Sequence, residues 1–89
     1  MRQIEYTGQF QRDIKKAKKR GKNMEKIKET LRLLISEEPL PQVYRDHLLT
    51  GNWSGCRDLH IEPDWLLIYR VVEDVIRYER TWCHSDLFR

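Results

Sequence analysis

The sequence predicts an α+β domain in which a helical hairpin packs on one face of a small, mostly antiparallel sheet, in the order β-α-α-β-β-β. Apolar residues recur with a period near 3.6 over residues 7–36 and with a period of two from Gly51 onward. A chain of 89 residues has room for one domain, so we expect a single domain over residues 1–89.

The first twenty-one residues predict one short strand and one helix. Residues 2–6 alternate polar and apolar side chains, as in a strand, and Thr7 can cap the helix that follows. One helical face is apolar, with Phe10, Ile14 and Ala17. Gly21 is expected to end this helix, because glycine favours the position after a helix C-terminus.

A second helix is expected after Asn23, which is a favourable capping residue. Its apolar stripe is formed by Met24, Ile27, Leu31, Leu34 and Ile35. The helix should end before residues 38–41, because residues that precede proline avoid helical geometry. The short spacing between the two helices predicts an antiparallel hairpin.

The second half predicts three strands. Residues 56–61 form the first, and residues 62–64 form a turn. Residues 65–72 are nearly all apolar, which is typical of a strand buried on both faces. After a tight turn at residues 73–74, residues 75–82 alternate and should pair with that strand as a hairpin.

Charge is unevenly distributed along the chain. Residues 1–36 contain eleven lysines and arginines and four acids, whereas residues 37–89 contain six arginines and ten acids. A basic segment suits a polyanion such as RNA, and a solvated helix face explains it equally well.

We expect a cytoplasmic protein without a membrane partner, because the sequence has no apolar run near 18 residues and no signal region at its start.

The candidate chemical groups are the three histidines His47, His60 and His84. Strand alternation predicts that Asp58 and His60 share one face, about 7 Å apart along the strand. Histidine suits proton transfer near neutral pH, and RNA cleavage through the 2′-hydroxyl needs an acid, a base and nearby cations. Structural roles for the histidines remain open.

We expect neither a metal site nor a cofactor. The histidines are separated by thirteen and twenty-four residues, and these separations match no compact zinc-ligand pattern. Cys56 and Cys83 lack C-x-x-C spacing and are expected to be reduced thiols.

The three tryptophans have two readings. Trp65 begins the buried strand and is expected in the core. Trp53 and Trp82 can stack on bases, and a role in the core or in an interface is at least as well supported.

Five segments of the chain resemble YafQ toxins of the RelE/ParE superfamily. The longest matching block is R-D-x-H-I-E-P-D-W-x-L-I-Y, over residues 57–69. The other matching segments are residues 4–10, 44–47, 51–55 and 79–88 without 82–83. The resemblance runs along nearly the whole chain and implies the RelE-like microbial ribonuclease fold.

The resemblance implies a toxin of a type II toxin–antitoxin system that cuts mRNA in the A site of the 30S ribosomal subunit. Cleavage in this family uses the RNA 2′-hydroxyl as nucleophile, needs no metal and inhibits translation. A cognate antitoxin, expected to be of the ribbon-helix-helix type, neutralises the toxin. The pair represses its own operon, so operator DNA is expected as a partner only through the antitoxin.

The resemblance also assigns roles to individual residues. Its acid–base and phosphate-stabilising set matches His47, His60, Asp64 and His84, with Asp64 or His60 favoured as base and His84 as acid. The substrate-binding set matches Asp58, Phe88 and Arg80. The basic helices are expected to face ribosomal RNA.

The main departure from the family pattern is Trp82-Cys83, where the family often has a glycine followed by serine or threonine. A bulky Trp82 can narrow the site or change codon choice. The alternative function is that of the ParE-like toxins, which share the fold and poison DNA gyrase without enzymatic activity. The histidine–aspartate set favours the ribonuclease, because gyrase poisons of this fold lack it.

Overall fold

The computed structural model describes residues 2–83, which form two helices and a five-stranded mixed sheet. The elements are β1 (Gln3–Tyr6), α1 (Gly8–Lys19), α2 (Met24–Ser36), β2 (His47–Leu48), β3 (Arg57–Glu62), β4 (Trp65–Val72) and β5 (Val75–Cys83). Two short 3-10 turns, Gln42–Tyr44 and Gly51–Trp53, flank β2. The predicted fold class is confirmed, and β2 is an additional strand within the connection where we expected His47.

The strands lie in the order β1-β5-β4-β3-β2. The strand β1 pairs with β5 in parallel, and the other three pairings are antiparallel. Strand β4 has the predicted bounds, β3 lies one residue later than predicted, and β5 continues one residue further. Strand β4 therefore lies at the centre of the sheet, with β1 on one edge and β2 on the other.

Local capping explains where the helices begin. The Thr7 hydroxyl accepts a hydrogen bond from the Phe10 amide at 2.9 Å, and the Asn23 side chain accepts one from the Glu25 amide at 3.1 Å. Helix α1 ends one residue before Arg20, and Gly21 follows with φ of 76°, a conformation that favours glycine. These predicted caps are confirmed.

The main core lies between the helices and one face of the sheet. Of the three predicted apolar residues of α1, Phe10 and Ala17 are buried in this core and Ile14 is partly buried against it, and Tyr78 stacks on the Phe10 ring at 5.4 Å between centroids. Helix α2 buries Ile27 and Leu34 as predicted, together with Thr30 and Leu33, which lie outside the predicted stripe. No helix in the described residues is long and apolar enough to cross a membrane.

Candidate active site

The strand register brings three of the predicted site residues, His47, Asp58 and Arg80, into line across the sheet. His47 on β2 is opposite Asp58 on β3, Asp58 is opposite Ile68 on β4, and Ile68 is opposite Arg80 on β5. Directly opposed residues of antiparallel strands point to the same face. Leu59 and Leu67, which alternate with these residues along β3 and β4, point to the opposite face and belong to the main core.

A second line of residues lies one pleat away on the same face. It runs from His60 on β3 through Leu66 on β4 to Trp82 on β5. Strands are spaced about 4.8 Å apart, so the β3 and β5 residues of each line stand about 10 Å apart. Leu66 and Ile68 are fully buried and form the floor between them. We call the two lines together the catalytic face: His47, Asp58, His60, Leu66, Ile68, Arg80 and Trp82.

His47 is held by two oxygen atoms. Its Nδ1 atom lies 3.0 Å from the carbonyl oxygen of Arg45 and 2.9 Å from Oδ1 of Asp58. A carbonyl oxygen only accepts, so Nδ1 carries a proton, and Nε2 is an acceptor when the ring is neutral and a donor when it is charged. The His47 side chain is 55% exposed, whereas Asp58 is only 3% exposed. Asp58 is therefore a buried anion beside an accessible imidazole.

His60 lies next to His47, with 6.5 Å between the ring centroids and an angle of 29° between the planes. Its Nδ1 atom is buried, and no group in residues 2–83 forms a hydrogen bond with it. A register shift in the β3–β4 pairing falls between His60 and Glu62, and such irregularities often redirect side chains near functional sites. A cleft of about 790 Å³ opens beside His60, between α2 and the 42–45 segment.

Arg80 reaches from the catalytic face to helix α1. Its Nε and Nη2 atoms donate hydrogen bonds to the carboxylate of Asp13, at 3.0 and 3.1 Å. Asp13 is 1% exposed and also accepts the backbone N–H of Thr81 at 3.2 Å. No pattern in the sequence indicates this contact, because Asp13 and Arg80 are 67 positions apart and Asp13 lies in a highly basic helix.

Trp82 is 7% exposed and closes the β5 side of the second line. The Arg20 guanidinium lies 4.6 Å from the Trp82 ring centroid, a cation–π contact that fastens the end of α1 to the end of β5. Trp65 is fully buried, as predicted, and its indole N–H donates to the Thr81 hydroxyl at 3.0 Å. Trp53 is partly buried in the turn after β2.

The remaining predicted site residues are less constrained or lie outside the described part of the chain. Asp64 is exposed in the turn between β3 and β4, and its side chain forms no hydrogen bond or ion pair with the described residues. His84 and Phe88 fall outside residues 2–83. Clusters of three or more potential metal ligands are absent from residues 2–83, and Cys56 and Cys83 are not joined in a disulfide.

A polar network that sequence reasoning missed supports the segment before β2. The Asp46 carboxylate accepts a hydrogen bond from the Tyr69 hydroxyl at 2.6 Å and pairs with the Arg57 guanidinium at 3.2 Å. Burial, together with the bond to Asp46, raises the pKa of the Tyr69 hydroxyl, and the hydrogen bond to Asp46 raises the pKa of Arg57. This network anchors the residue that precedes His47.

The basic residues of the two helices differ in how they are neutralised. In α2, Lys26, Lys28 and Arg32 pair with Glu62, Glu25 and Glu29 at 2.9, 3.5 and 2.8 Å. The hydrogen bond from Lys26 lowers the pKa of Glu62. In α1, five exposed cations form no ion pair with the described residues: Arg12, Lys15, Lys16, Lys18 and Lys19. We call these five residues the basic face of α1.

Comparisons with known proteins identify the family. The model of the bacterial YafQ toxin of type II toxin–antitoxin systems matches residues 2–89. The mRNA interferase toxin YafQ of Escherichia coli K12 is 52% identical over 88 residues, covering 98% of this chain and 96% of the relative.

Solved structures agree with the sequence match. The crystal structure of YafQ from Escherichia coli BL21(DE3) is 50% identical, with a TM-score of 0.95 and full coverage of both chains. In the crystal structure of the E. coli DinJ–YafQ complex, a chain that is 51% identical to this one matches with a TM-score of 0.93, again with full coverage of both chains. The present chain therefore belongs to the YafQ family of toxins of type II toxin–antitoxin systems.

Proposed function

We propose that this chain is a single-domain, metal-independent endoribonuclease, an mRNA interferase that cuts mRNA in the ribosomal A site and so stops translation. The observation that carries the proposal is the convergence of His47, His60 and Arg80 on one face of the sheet. Those three side chains provide a proton acceptor and two cations, which is what cleavage through the 2′-hydroxyl requires. The E. coli K12 relative carries the name mRNA interferase toxin, which supports the same activity.

In the proposed reaction, His60 accepts the proton of the 2′-hydroxyl while the 2′-oxygen bonds to phosphorus. The bond from phosphorus to the 5′-oxygen breaks, which leaves a 2′,3′-cyclic phosphate on one product. His84 donates a proton to the departing 5′-oxygen, as the family resemblance implies. His60 suits the acceptor role because its side chain is only partly buried and lines the cleft beside α2.

Two cations flank the position of the phosphate in this proposal. His47 and Arg80 stand at the two ends of the first line, three strand spacings or about 14 Å apart at about 4.8 Å per spacing. Positive charge on His47 is balanced by the Asp58 carboxylate at 2.9 Å. We therefore assign Asp58 to the orientation and charge balance of His47, since its 3% exposure leaves little surface for direct contact with RNA.

Asp64 keeps the acid–base role that the resemblance implies, in the exposed turn that follows β3. The cleft beside His60 has room for a nucleotide next to the scissile phosphate. Phe88 remains a candidate for contact with a base, on the resemblance alone.

The basic face of α1 is the proposed contact with ribosomal RNA. Its five cations lack acidic partners among the described residues, whereas those of α2 are paired. A polyanion gains most from cations that the protein itself leaves unneutralised, because binding releases counterions from the nucleic acid. This narrows the initial expectation for both helices to α1.

We further propose that a cognate antitoxin of the ribbon-helix-helix type binds this chain, as DinJ binds the E. coli relative. The antitoxin would then carry the pair to operator DNA. Because the proposed substrate is on the ribosome, the toxin would act in the cytoplasm.

The test is single-turnover cleavage of mRNA on purified ribosomes that hold a defined codon in the A site. The wild-type chain should cut within that codon in the presence of EDTA, and His60→Ala should lower kcat by about 100- to 10,000-fold. Asp74→Asn, in the exposed turn before β5, is the matched control and should cleave normally. Inhibition of gyrase supercoiling without mRNA cleavage would instead support the ParE-like alternative.

A further inference from the structure

A buried carboxylate in α1 is joined to a residue of the catalytic face. Asp13 is 1% exposed, and its two oxygens accept four hydrogen bonds. Oδ1 accepts from Gln9 at 3.0 Å and from Arg80 Nη2 at 3.1 Å. Oδ2 accepts from Arg80 Nε at 3.0 Å and from the Thr81 backbone at 3.2 Å. All four hydrogen bonds converge on the carboxylate of Asp13, so its position is tightly constrained.

One of these bonds has a structural purpose. The strand β1 pairs with β5 only as far as Tyr78, so the edge of β5 beyond that residue lacks a neighbouring strand. Asp13 satisfies the Thr81 N–H on that edge. An edge bond alone would not require a bidentate arginine, since a backbone N–H needs only one acceptor.

The pairing with Arg80 determines which way its guanidinium faces. Two parallel N–H···O bonds fix a guanidinium in its plane far better than a single charge contact does. Asp13 engages Nε and one N–H of Nη2, and Nη1 forms no hydrogen bond with residues 2–83. The Arg80 side chain is 32% exposed, so its remaining N–H groups are accessible.

Arg80 belongs to the same line as His47 and Asp58. We propose that Asp13 is a positioning residue for RNA cleavage: it fixes the Arg80 guanidinium so that the free N–H groups meet the scissile phosphate. This inference rests on the proposed function. A fixed cation stabilises developing charge without reorganisation, and a displacement of about 1 Å can cost about 100-fold in rate.

The test is a double-mutant cycle with Asp13→Asn, Arg80→Gln and the double variant, in the ribosome assay. Arg80→Gln should lower kcat about 100-fold with little change in KM, and Asp13→Asn should lower it at least about 10-fold. In the Arg80→Gln background, Asp13→Asn should cause no further loss, because Asp13 acts through Arg80. Additive losses in kcat would overturn the inference, because they would give Asp13 a separate role.

A matched control is Glu38→Gln, which removes an exposed carboxylate that pairs with Arg32 at 3.7 Å and does not line the cleft beside His60. It should leave kcat unchanged. Asp13→Asn alone can prevent folding, because it leaves Arg80 without an anion. The double variant replaces the ion pair with two neutral amides, and its circular dichroism and kcat relative to Arg80→Gln alone then decide the question.

The outcomes separate this inference from the proposed function. If the wild-type chain does not cleave mRNA on ribosomes, both fail. If the wild-type chain cleaves and folded Asp13→Asn has wild-type kcat, only the positioning role fails. If Asp13→Asn raises KM and leaves kcat unchanged, Arg80 contributes to binding rather than to the reaction, and the inference also fails.

Discussion

Replacing Asp58 with asparagine tests how the catalytic face holds its accessible histidine. The change removes one negative charge from beside His47, whose Nδ1 atom lies 2.9 Å from Asp58 Oδ1. The carbonyl oxygen of Arg45, at 3.0 Å, still accepts from Nδ1 and preserves the tautomer. The variant should therefore lose charge stabilisation without losing the geometry of the ring.

The size of the effect follows from the exposure of the pair. Two unit charges about 4 Å apart attract by about 1 kcal/mol in water and by about 4 kcal/mol at the effective dielectric constant near a protein surface. The His47 side chain is 55% exposed, so a value near the lower end, about 2 kcal/mol, applies. That corresponds to a decrease in kcat of about 30-fold.

The assay is single-turnover cleavage on programmed ribosomes at several toxin concentrations, so that kcat and KM are separated. We expect a lower kcat and an unchanged KM, because Asp58 is 3% exposed and has little surface to offer the RNA. Asp74→Asn serves as the control for loss of one surface carboxylate. A raised KM with unchanged kcat would refute the reasoning and restore Asp58 as a substrate-binding residue.

Three further predictions concern the core, the helices and alkaline pH. Trp82→Gly should destabilise the protein by about 3–5 kcal/mol, since Trp82 is 7% exposed, and should widen the range of codons that are cut. Thermal denaturation and cleavage-site sequencing measure these two effects. An unchanged codon range would show that Trp82 does not determine substrate choice. Replacing Lys15 and Lys19 with glutamine should weaken ribosome binding and lower the number of counterions released on binding by about two. Lys28→Gln, which breaks an ion pair on α2, should have neither effect. Equal effects on both helices would contradict a contact restricted to α1. Burial raises the pKa of Tyr69 in the folded state, so the unfolded chain releases the Tyr69 proton at lower pH than the folded chain does. The free energy of unfolding should therefore fall above about pH 10, by about 1.4 kcal/mol per pH unit. Urea titrations should show a shallower decline for Tyr69→Phe, and an identical decline would show that Tyr69 is not its cause.

The elements predicted best from the sequence carry their signals locally. Strand β4 is a nearly continuous apolar run bounded by turn residues, and its predicted bounds, 65–72, match the structure. Thr7 and Asn23 cap the helices through bonds that span only two or three residues. Such contacts depend on a few neighbouring residues, which is why a pattern in the sequence reveals them.

The features that escaped prediction depend on partners that are distant in sequence. Strand β2 has only two residues, too few for a period, and it exists because His47 and Leu48 pair with β3. Asp13 has Arg12, Lys15 and Lys16 close by in the sequence, yet it is buried because Arg80 and Thr81 meet it across the fold.

For the candidate site, the sequence supports a proposal about which residues belong to it but says little about its geometry. The family resemblance supplied the residues, and alternation placed Asp58 and His60 on one face of β3. The register that aligns them with Arg80 and Trp82 cannot be read from one strand, because it depends on the pairing of β3, β4 and β5.

The most direct test of the central claim is to replace the scissile nucleotide of the A-site codon with its 2′-deoxy form. In this account the catalytic face supplies acid–base groups and cations, and the RNA itself supplies the nucleophile. An RNA without the 2′-hydroxyl therefore cannot be cut. We predict that the all-ribose mRNA is cut and yields a 2′,3′-cyclic phosphate, whereas the substituted mRNA remains intact at that position. Equal cleavage of both would contradict the account.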